Sequence, residues 1–265
     1  MKRKKKKITL GTKEWASSNI NLIYGCSHNC RYCYSKILAI RFKRKTEKSW
    51  KIMELNQEKL KKNYKKRKGR IMFPTSHDIV PEFQEECFQV LKKLLDAKNF
   101  VLITSKPHFE VIKALCSRFI DFKDLIQFRF TITSINDDRL KFWEPGAPNF
   151  DERFQSLKFA YSKQYKTSVS IEPFLDKNPI SLVKKLYPYV SETIWIGKMN
   201  YIKRNSNSIG ELGYYNEIRQ NYTIANIQQL IYSLRRYKKI RYKDSIRRLD
   251  LDVPSLQAPS MRISC

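Results

Sequence analysis

Three cysteines fall within eight residues, in the run Cys26-Ser27-His28-Asn29-Cys30-Arg31-Tyr32-Cys33. Thiols packed this densely point to a metal. Gaps of three and two residues let three sulfurs wrap three corners of one [4Fe-4S] cube and leave its fourth iron without a protein ligand. Such an iron can chelate the amino and carboxylate groups of a small cofactor while the cluster supplies one electron. The competing reading is a zinc site with His28 as fourth ligand. Structural zinc usually takes two separated ligand pairs, whereas all four candidates here lie in one short run. In the cluster reading His28 shapes the loop and is not a ligand.

A metal loop needs elements to position it. Short β-rich runs at 19–24, 71–73, 100–104, 128–133, 167–171 and 193–197 alternate with helical periodicity, the pattern of βα units around a parallel sheet. The cysteine run follows the first of these strands, at the strand end where a β/α barrel carries its chemistry. Apolar residues recur at helical spacing in four places. These are Phe83, Cys87, Val90, Leu91, Leu94 and Leu95; Ile112, Leu115, Cys116 and Phe119; Phe150, Phe154, Leu157 and Tyr161; and Ile227, Leu230, Ile231 and Leu234. Cys87 and Cys116 lie in these stripes and are read as core thiols.

At 265 residues and 42% hydrophobic, the chain suits one large α/β domain. The expected division is a basic extension at 1–18, a core at 19–236 with a basic insertion at 41–70, and a tail at 237–265 containing Pro254, Pro259 and Cys265. No apolar run approaches the ~20 residues that span a bilayer. Nothing resembles a secretory signal, so a soluble cytoplasmic protein is expected. Scattered cysteines do not read as a disulfide framework.

The formal net charge is +28, and residues 1–70 hold 23 Lys and Arg against 4 Asp and Glu. The insertion at 41–70 alone has 14 basic residues against Glu47, Glu54 and Glu58. Runs at 59–70 and 235–243 interleave cations with Tyr64, Tyr237 and Tyr242, a combination suited to phosphates and exposed bases. A lysine-rich composition alone would also raise the charge, but not concentrate it.

Residues 25–34 resemble the CxxxCxxC signature of the radical SAM superfamily, in the form carried by spore photoproduct lyase-like proteins. The segment from Thr131 through Glu144-Pro145 and Pro148 to Arg153-Phe154 resembles that family's fourth-strand segment and the turn after it. The similarity covers residues 14–200. It implies a partial (β/α)6 TIM-type barrel, with Cys26, Cys30 and Cys33 holding a [4Fe-4S] cluster. That cluster reductively cleaves S-adenosyl-L-methionine to a 5′-deoxyadenosyl radical, which takes hydrogen from a substrate. An electron donor such as ferredoxin or flavodoxin is implied as partner. Carried over, Tyr32 contacts the adenine edge, Thr75 and Ser76 face the methionyl part, and Lys106 and Thr131 hold its carboxylate. A lysine there is also what a carboxylate in a water-poor barrel mouth requires; otherwise Lys106 is a solvated loop residue.

The chain departs from the pattern. Pro74-Thr75-Ser76-His77-Asp78 stands where many members have Gly-Gly-Glu, which leaves Asp78 as the candidate for the cofactor's amino group. No cysteine lies near the second strand's loop, so the lyase's own dimer cleavage is not expected. Glu172, at the end of strand five, either binds ribose hydroxyls or substrate or pairs with a lysine. His77 beside Asp78 either does acid–base work or organises a turn. Three functions compete: radical chemistry on a nucleic acid, in repair or modification; the same chemistry on a peptide or small metabolite; and a non-enzymatic iron–sulfur or zinc module.

Overall fold

A computed structural model describes residues 11–202, 209–249 and 251. The lysines at 2–7, most of the expected tail and Cys265 lie outside them. The strands are β1 (Ser18–Asn19), β2 (Ile23–Tyr24), β3 (Glu54–Leu55), β4 (Arg70–Phe73), β5 (Phe100–Ser105), β6 (Ile126–Thr131), β7 (Lys166–Ile171), β8 (Ile194–Ile196) and β9 (Ile240–Tyr242). All except β2 and β3 form one seven-stranded sheet, β1-β4-β5-β6-β7-β8-β9, in which every pairing is parallel. This is the α/β architecture of a partial TIM-type barrel, with one strand more than expected. The sheet runs past residue 236, because Ile240 and Tyr242 are buried on β9 against β8.

The helices that matter to the site are α1 (Tyr34–Arg41), α2 (Gln57–Lys61), α3 (Gln84–Asp96), α4 (Phe109–Arg118), α5 (Asp137–Trp143), α6 (Phe150–Ser162) and, after α7 (Ile180–Leu186) and α8 (Ile209–Asn221), α9 (Ile224–Leu234). Helices α3, α4 and α9 bury the apolar stripes read from their spacing, Cys87 and Cys116 included, except that Phe83 lies half-buried just before α3. In α6 the inner face differs. It buries Phe150, Arg153, Ser156, Leu157 and Ala160, while Tyr161 is exposed. An arginine takes the inner position because a carboxylate waits for it there, as described below.

The first expected strand is broken at Asn21. Its Oδ1 accepts the backbone N–H groups of Thr75 and Ser76 at 2.6 and 2.9 Å, and the Leu22 N–H donates to His77 Nε2 at 3.0 Å. The chain therefore leaves the sheet after β1 and pairs antiparallel as β2 with β3, inside the basic insertion. That insertion is no free extension, since Trp50 and Tyr64 are buried and the Cys26 N–H donates to the Trp50 carbonyl at 3.0 Å. Gly25 has φ +93°, and a Cβ there would lie 2.4 Å from the Ile52 carbonyl oxygen. Only glycine enters the cysteine loop so tightly against the insertion.

Residues 11–18 also belong to the body. Lys243, just past β9, donates to the Gly11 carbonyl at 3.0 Å and pairs with buried Glu14 at 2.6 Å. Ser17 bonds the Arg70 carbonyl at the start of β4 at 3.0 Å. Trp15 packs edge-on against Trp195 of β8 and beneath the buried Arg129 guanidinium. The segment thus crosses between the two edges of the sheet, β9 and β1.

His77 is 7% exposed, and burial lowers its pKa to about 4. Its Nδ1 bonds the Asp78 carbonyl at 2.9 Å and its Nε2 accepts from Leu22, which requires the neutral ring. A pKa below the unfolded 6.5 means the unfolded state binds the proton first. This contribution is complete above pH 6.5 and is lost as pH falls toward about 4, on the order of 3 kcal/mol in all. Urea unfolding of His77→Gln against the parent should show the stability difference shrinking across that window; a constant difference would refute the neutral-histidine assignment.

Candidate active site

The cysteine loop joins β2 to α1, and neighbouring backbone fixes its shape. The Arg31 N–H donates to the Trp143 carbonyl at 2.8 Å, and the Gly146 N–H to the His28 carbonyl at 3.1 Å. A Cβ on Gly146 would stand 2.2 Å from the Ser27 carbonyl oxygen, so the turn after α5 lies directly on the loop. Asn29 takes a positive φ of 47° and accepts from Lys36 Nζ at 3.0 Å. Cys33 caps α1, its sulfur accepting the Lys36 N–H at 3.4 Å, where the helix N-terminus favours a thiolate.

Burial pushes the Cys26 thiol up to about 12 and raises Cys30 and Cys33 as well. Two buried thiols and the half-buried Cys33 resist ionising unless a cation shares the site, and iron would supply that charge. Among the described residues no three His, Cys, Asp or Glu side chains converge as they would around a single metal ion. His28 is buried, with Nδ1 3.4 Å from Asp78 and Nε2 3.2 Å from His108 Nε2. Burial, Lys106 and His108 together keep its ring neutral.

All ten residues singled out from the sequence line one cavity of about 850 Å³: Cys26, Cys30, Cys33, Tyr32, Thr75, Ser76, Asp78, Lys106, Thr131 and Glu172. They meet because parallel strands β4 to β7 end at one rim. The Thr75–Ser76 turn is held by Asn21, and Tyr34 donates to the Thr75 carbonyl at 2.8 Å. Asp78 accepts from Ser105 Oγ at 2.5 Å, the Lys106 N–H at 2.7 Å and the Ile79 N–H at 2.8 Å. Its carboxylate is thus committed to the loops after β4 and β5, and its pKa rises through burial, with Ser105 and Lys106 opposing.

Lys106 stands with its ammonium 5.6 Å from the Tyr32 ring centre. Burial works against its charge, but the Cys30 sulfur and Glu144 more than offset it, so its pKa is raised. Tyr32 donates to Glu144 Oε1, which also accepts from Thr133 Oγ1 at 2.9 Å. Glu144 pairs with Arg153 at 2.5 Å, both side chains at 0% exposure. Burial would raise the Glu144 pKa; Arg153 and Lys106 hold it below the ordinary carboxylate value. Glu172 is raised to about 7, chiefly by burial and opposed by Lys243.

Sequence reasoning missed several residues of this site. Asn21 and Gly146 carry no chemistry of their own and show only as close approaches. Lys13, Lys198 and Arg248 line the cavity from the N-terminal segment and the β8–β9 side. No motif marks them. The basic runs that do stand out lie in part elsewhere. The Lys65 carbonyl and the Arg67 N–H bond Asn99, just before β5, and the Lys239 carbonyl bonds Ile194 at the start of β8. These contacts put residues 65–67 and 239 at the strands' N-terminal ends, opposite the cavity, whereas Lys243, the last cation of the second run, lines it.

No curated protein matches the chain. Its fold is similar to spore photoproduct lyase complexed with dinucleoside spore photoproduct, at 15% identity and a TM-score of 0.52, over 84% of this chain and 75% of that one. It is also similar to Streptococcus suis SuiB bound to precursor peptide SuiA, at 11% identity and a TM-score of 0.50, over 85% of this chain and 48% of that one. The chain spans 46% of the SuiB chain bound to S-adenosylmethionine, at 11% identity and a TM-score of 0.48. At these identities the likeness is one of fold. The family model for the radical SAM superfamily, by contrast, matches residues 20–179, more than half of the sequence. The chain belongs to the radical SAM superfamily, whose members are enzymes that use a [4Fe-4S] cluster and S-adenosylmethionine.

Proposed function

We propose that this enzyme directs its radical at a nucleic acid, in repair or modification. The observation carrying the substrate class is the set of cations, Lys13, Lys198 and Arg248, that lines the cavity beyond the cysteine loop. Lys198 is half-buried, and desolvation lowers its pKa, so an arriving phosphate would find a poorly hydrated partner. The same cations disfavour an apolar peptide.

In this reading Cys26, Cys30 and Cys33 would hold the [4Fe-4S] cluster, which would bind S-adenosylmethionine. The cluster and cofactor, when bound, supply reductive cleavage to a 5′-deoxyadenosyl radical. The chain's own residues orient and shield. Lys106 and the Thr131 hydroxyl receive the methionyl carboxylate, Thr75 and Ser76 form the adjoining wall, and Tyr32, fixed by Glu144, offers its ring to the adenine. Glu172 serves ribose hydroxyls or substrate. Asp78, nominally the partner for the amino group, acts through Lys106 and the loops it ties together. A low-potential electron donor in the cytoplasm completes the system. No described helix is long and apolar enough to cross a membrane.

The test measures binding of single-stranded oligonucleotides across a salt series. Parent protein should lose affinity steeply as salt rises, and the Lys198→Ala, Arg248→Ala variant should show a slope shallower by about 1 to 2. Binding that is insensitive to salt, or an unchanged slope, would remove nucleic acid as the substrate.

A further inference from the structure

We infer that the face running from Leu38 on α1 to Ile52 is the docking surface for a small acidic electron-carrier protein. The inference rests on the reading that a reducible cluster sits on Cys26, Cys30 and Cys33, because such a cluster must receive electrons from outside the chain.

Both ends of this face touch the cysteine loop. Cys33 is the cap of α1, whose C-terminal end leads to Phe42. At the other end the Trp50 carbonyl accepts the Cys26 N–H at 3.0 Å, and the Ile52 carbonyl lies against Gly25. An electron arriving here is one helix or one hydrogen bond from a thiolate.

The composition fits a protein partner. Phe42 is 58% exposed, Ile52 56% and Leu38 37%, with Leu38 one helical turn before Phe42. Arg41, Lys43, Arg44, Lys48 and Lys51, all exposed, are interspersed with them along the chain. The Arg41 and Arg44 guanidiniums lie 5.9 and 5.4 Å from the Phe42 ring centre. Glu47 is the only carboxylate in residues 41–53, and it is paired with Lys36 at 2.5 Å. Exposed apolar side chains among mostly basic ones suit a transient protein interface, and electron-transfer encounters occupy the small end of the size range. A nucleic acid would be better served by a cationic groove with stacking rings than by exposed leucine and isoleucine.

The surface is also preformed. Lys45 is buried, and its Nζ bonds the Ile52 carbonyl at 3.1 Å and Glu54 at 2.5 Å. Trp50 is 3% exposed beneath it, and Thr46 and Ser49 close the turn through mutual side-chain bonds. The redox step is simple in balance: the reduced carrier gives up one electron and the cluster gains one, with no bond or proton transferred.

The test uses an acidic ferredoxin as probe and the full-length protein. Binding of oxidised ferredoxin is measured by calorimetry at low and high salt. The variants are Phe42→Ser with Arg44→Glu, and, as a control far from the loop, Arg235→Glu with Lys238→Glu. The parent should bind with strong salt dependence, the first variant roughly tenfold or more weakly, and the control within about twofold of the parent. In the cluster-loaded enzyme, ferredoxin-driven 5′-deoxyadenosine formation at subsaturating carrier should fall by the same factor, while the dithionite-driven rate stays at the parent's. Unaltered ferredoxin binding by the first variant, or parent binding that is insensitive to salt, overturns the docking surface. So does a result in which this variant abolishes self-association or oligonucleotide binding but keeps ferredoxin. Failure of dithionite to drive cleavage in the parent would instead refute the cluster reading, which the binding measurement does not depend on.

Discussion

Cys30→Ser should purify without the brown chromophore of its parent and, after anaerobic reconstitution, hold far fewer than the four irons of a cube. Cleavage of S-adenosylmethionine should drop by more than about 100-fold, since removing groups that merely support metal ligands already costs 10- to 100-fold. Cys26→Ser and Cys33→Ser should behave alike, because three thiolates are the minimum that leaves one iron open. Cys87→Ala and Cys116→Ala provide the contrast. Those thiols are buried in α3 and α4 and should cost packing stability without moving iron content. Iron near four per chain in Cys30→Ser would show that the cube, if present, is held elsewhere.

Why the sequence reveals so much of this site follows from the sheet. In a parallel βα array every strand's C-terminal end meets the same rim, so Thr75, Lys106, Thr131 and Glu172, each just inside or beyond a strand, had to converge wherever the strands were correctly placed. Local periodicity is enough to place them. Long-range pairing leaves no such trace. Arg153 reads as a polar gap in an apolar stripe until Glu144 appears opposite it, and nothing local shows that Asn21 caps the Thr75–Ser76 turn and so splits the first strand. Strand β9 is three residues long and flanked by cations, below what an alternation pattern can register.

The basic segments teach the converse lesson. Charge density is visible in sequence, but its position on the fold is not. The runs at 59–70 and 235–243 stand out as a binding surface, yet residues 65–67 and 239 lie at the barrel's far end and only Lys243 of the two runs lines the cavity. Lys13, Lys198 and Arg248, which also line the cavity, lie outside those runs and are brought together by the sheet edges. The insertion, marked in the sequence only by its charge, braces the cysteine loop through Trp50 because an eight-residue loop of thiols cannot bury enough apolar surface to order itself.

Arg153→Met should be among the most destabilising substitutions in the chain, by about 3–5 kcal/mol, because it strands the Glu144 carboxylate at 0% exposure without its counter-charge. Glu144→Gln should cost a similar amount by stranding the guanidinium. The double variant Glu144→Met, Arg153→Met should recover much of that loss, since an apolar pair of similar volume needs no desolvation. The two deficits should separate in function. Tyr32 donates to Glu144 and Lys106 draws its raised pKa partly from it, so stability restored by the double variant should not restore affinity for S-adenosylmethionine. Chemical unfolding gives the first quantity, and equilibrium binding of the cofactor to reconstituted protein gives the second. If Arg153→Met unfolds at the parent's midpoint, the pair is not the buried strut that ties α6 to the cysteine loop. If the double variant binds the cofactor as the parent does, Glu144 holds the fold alone and has no part in presenting Tyr32.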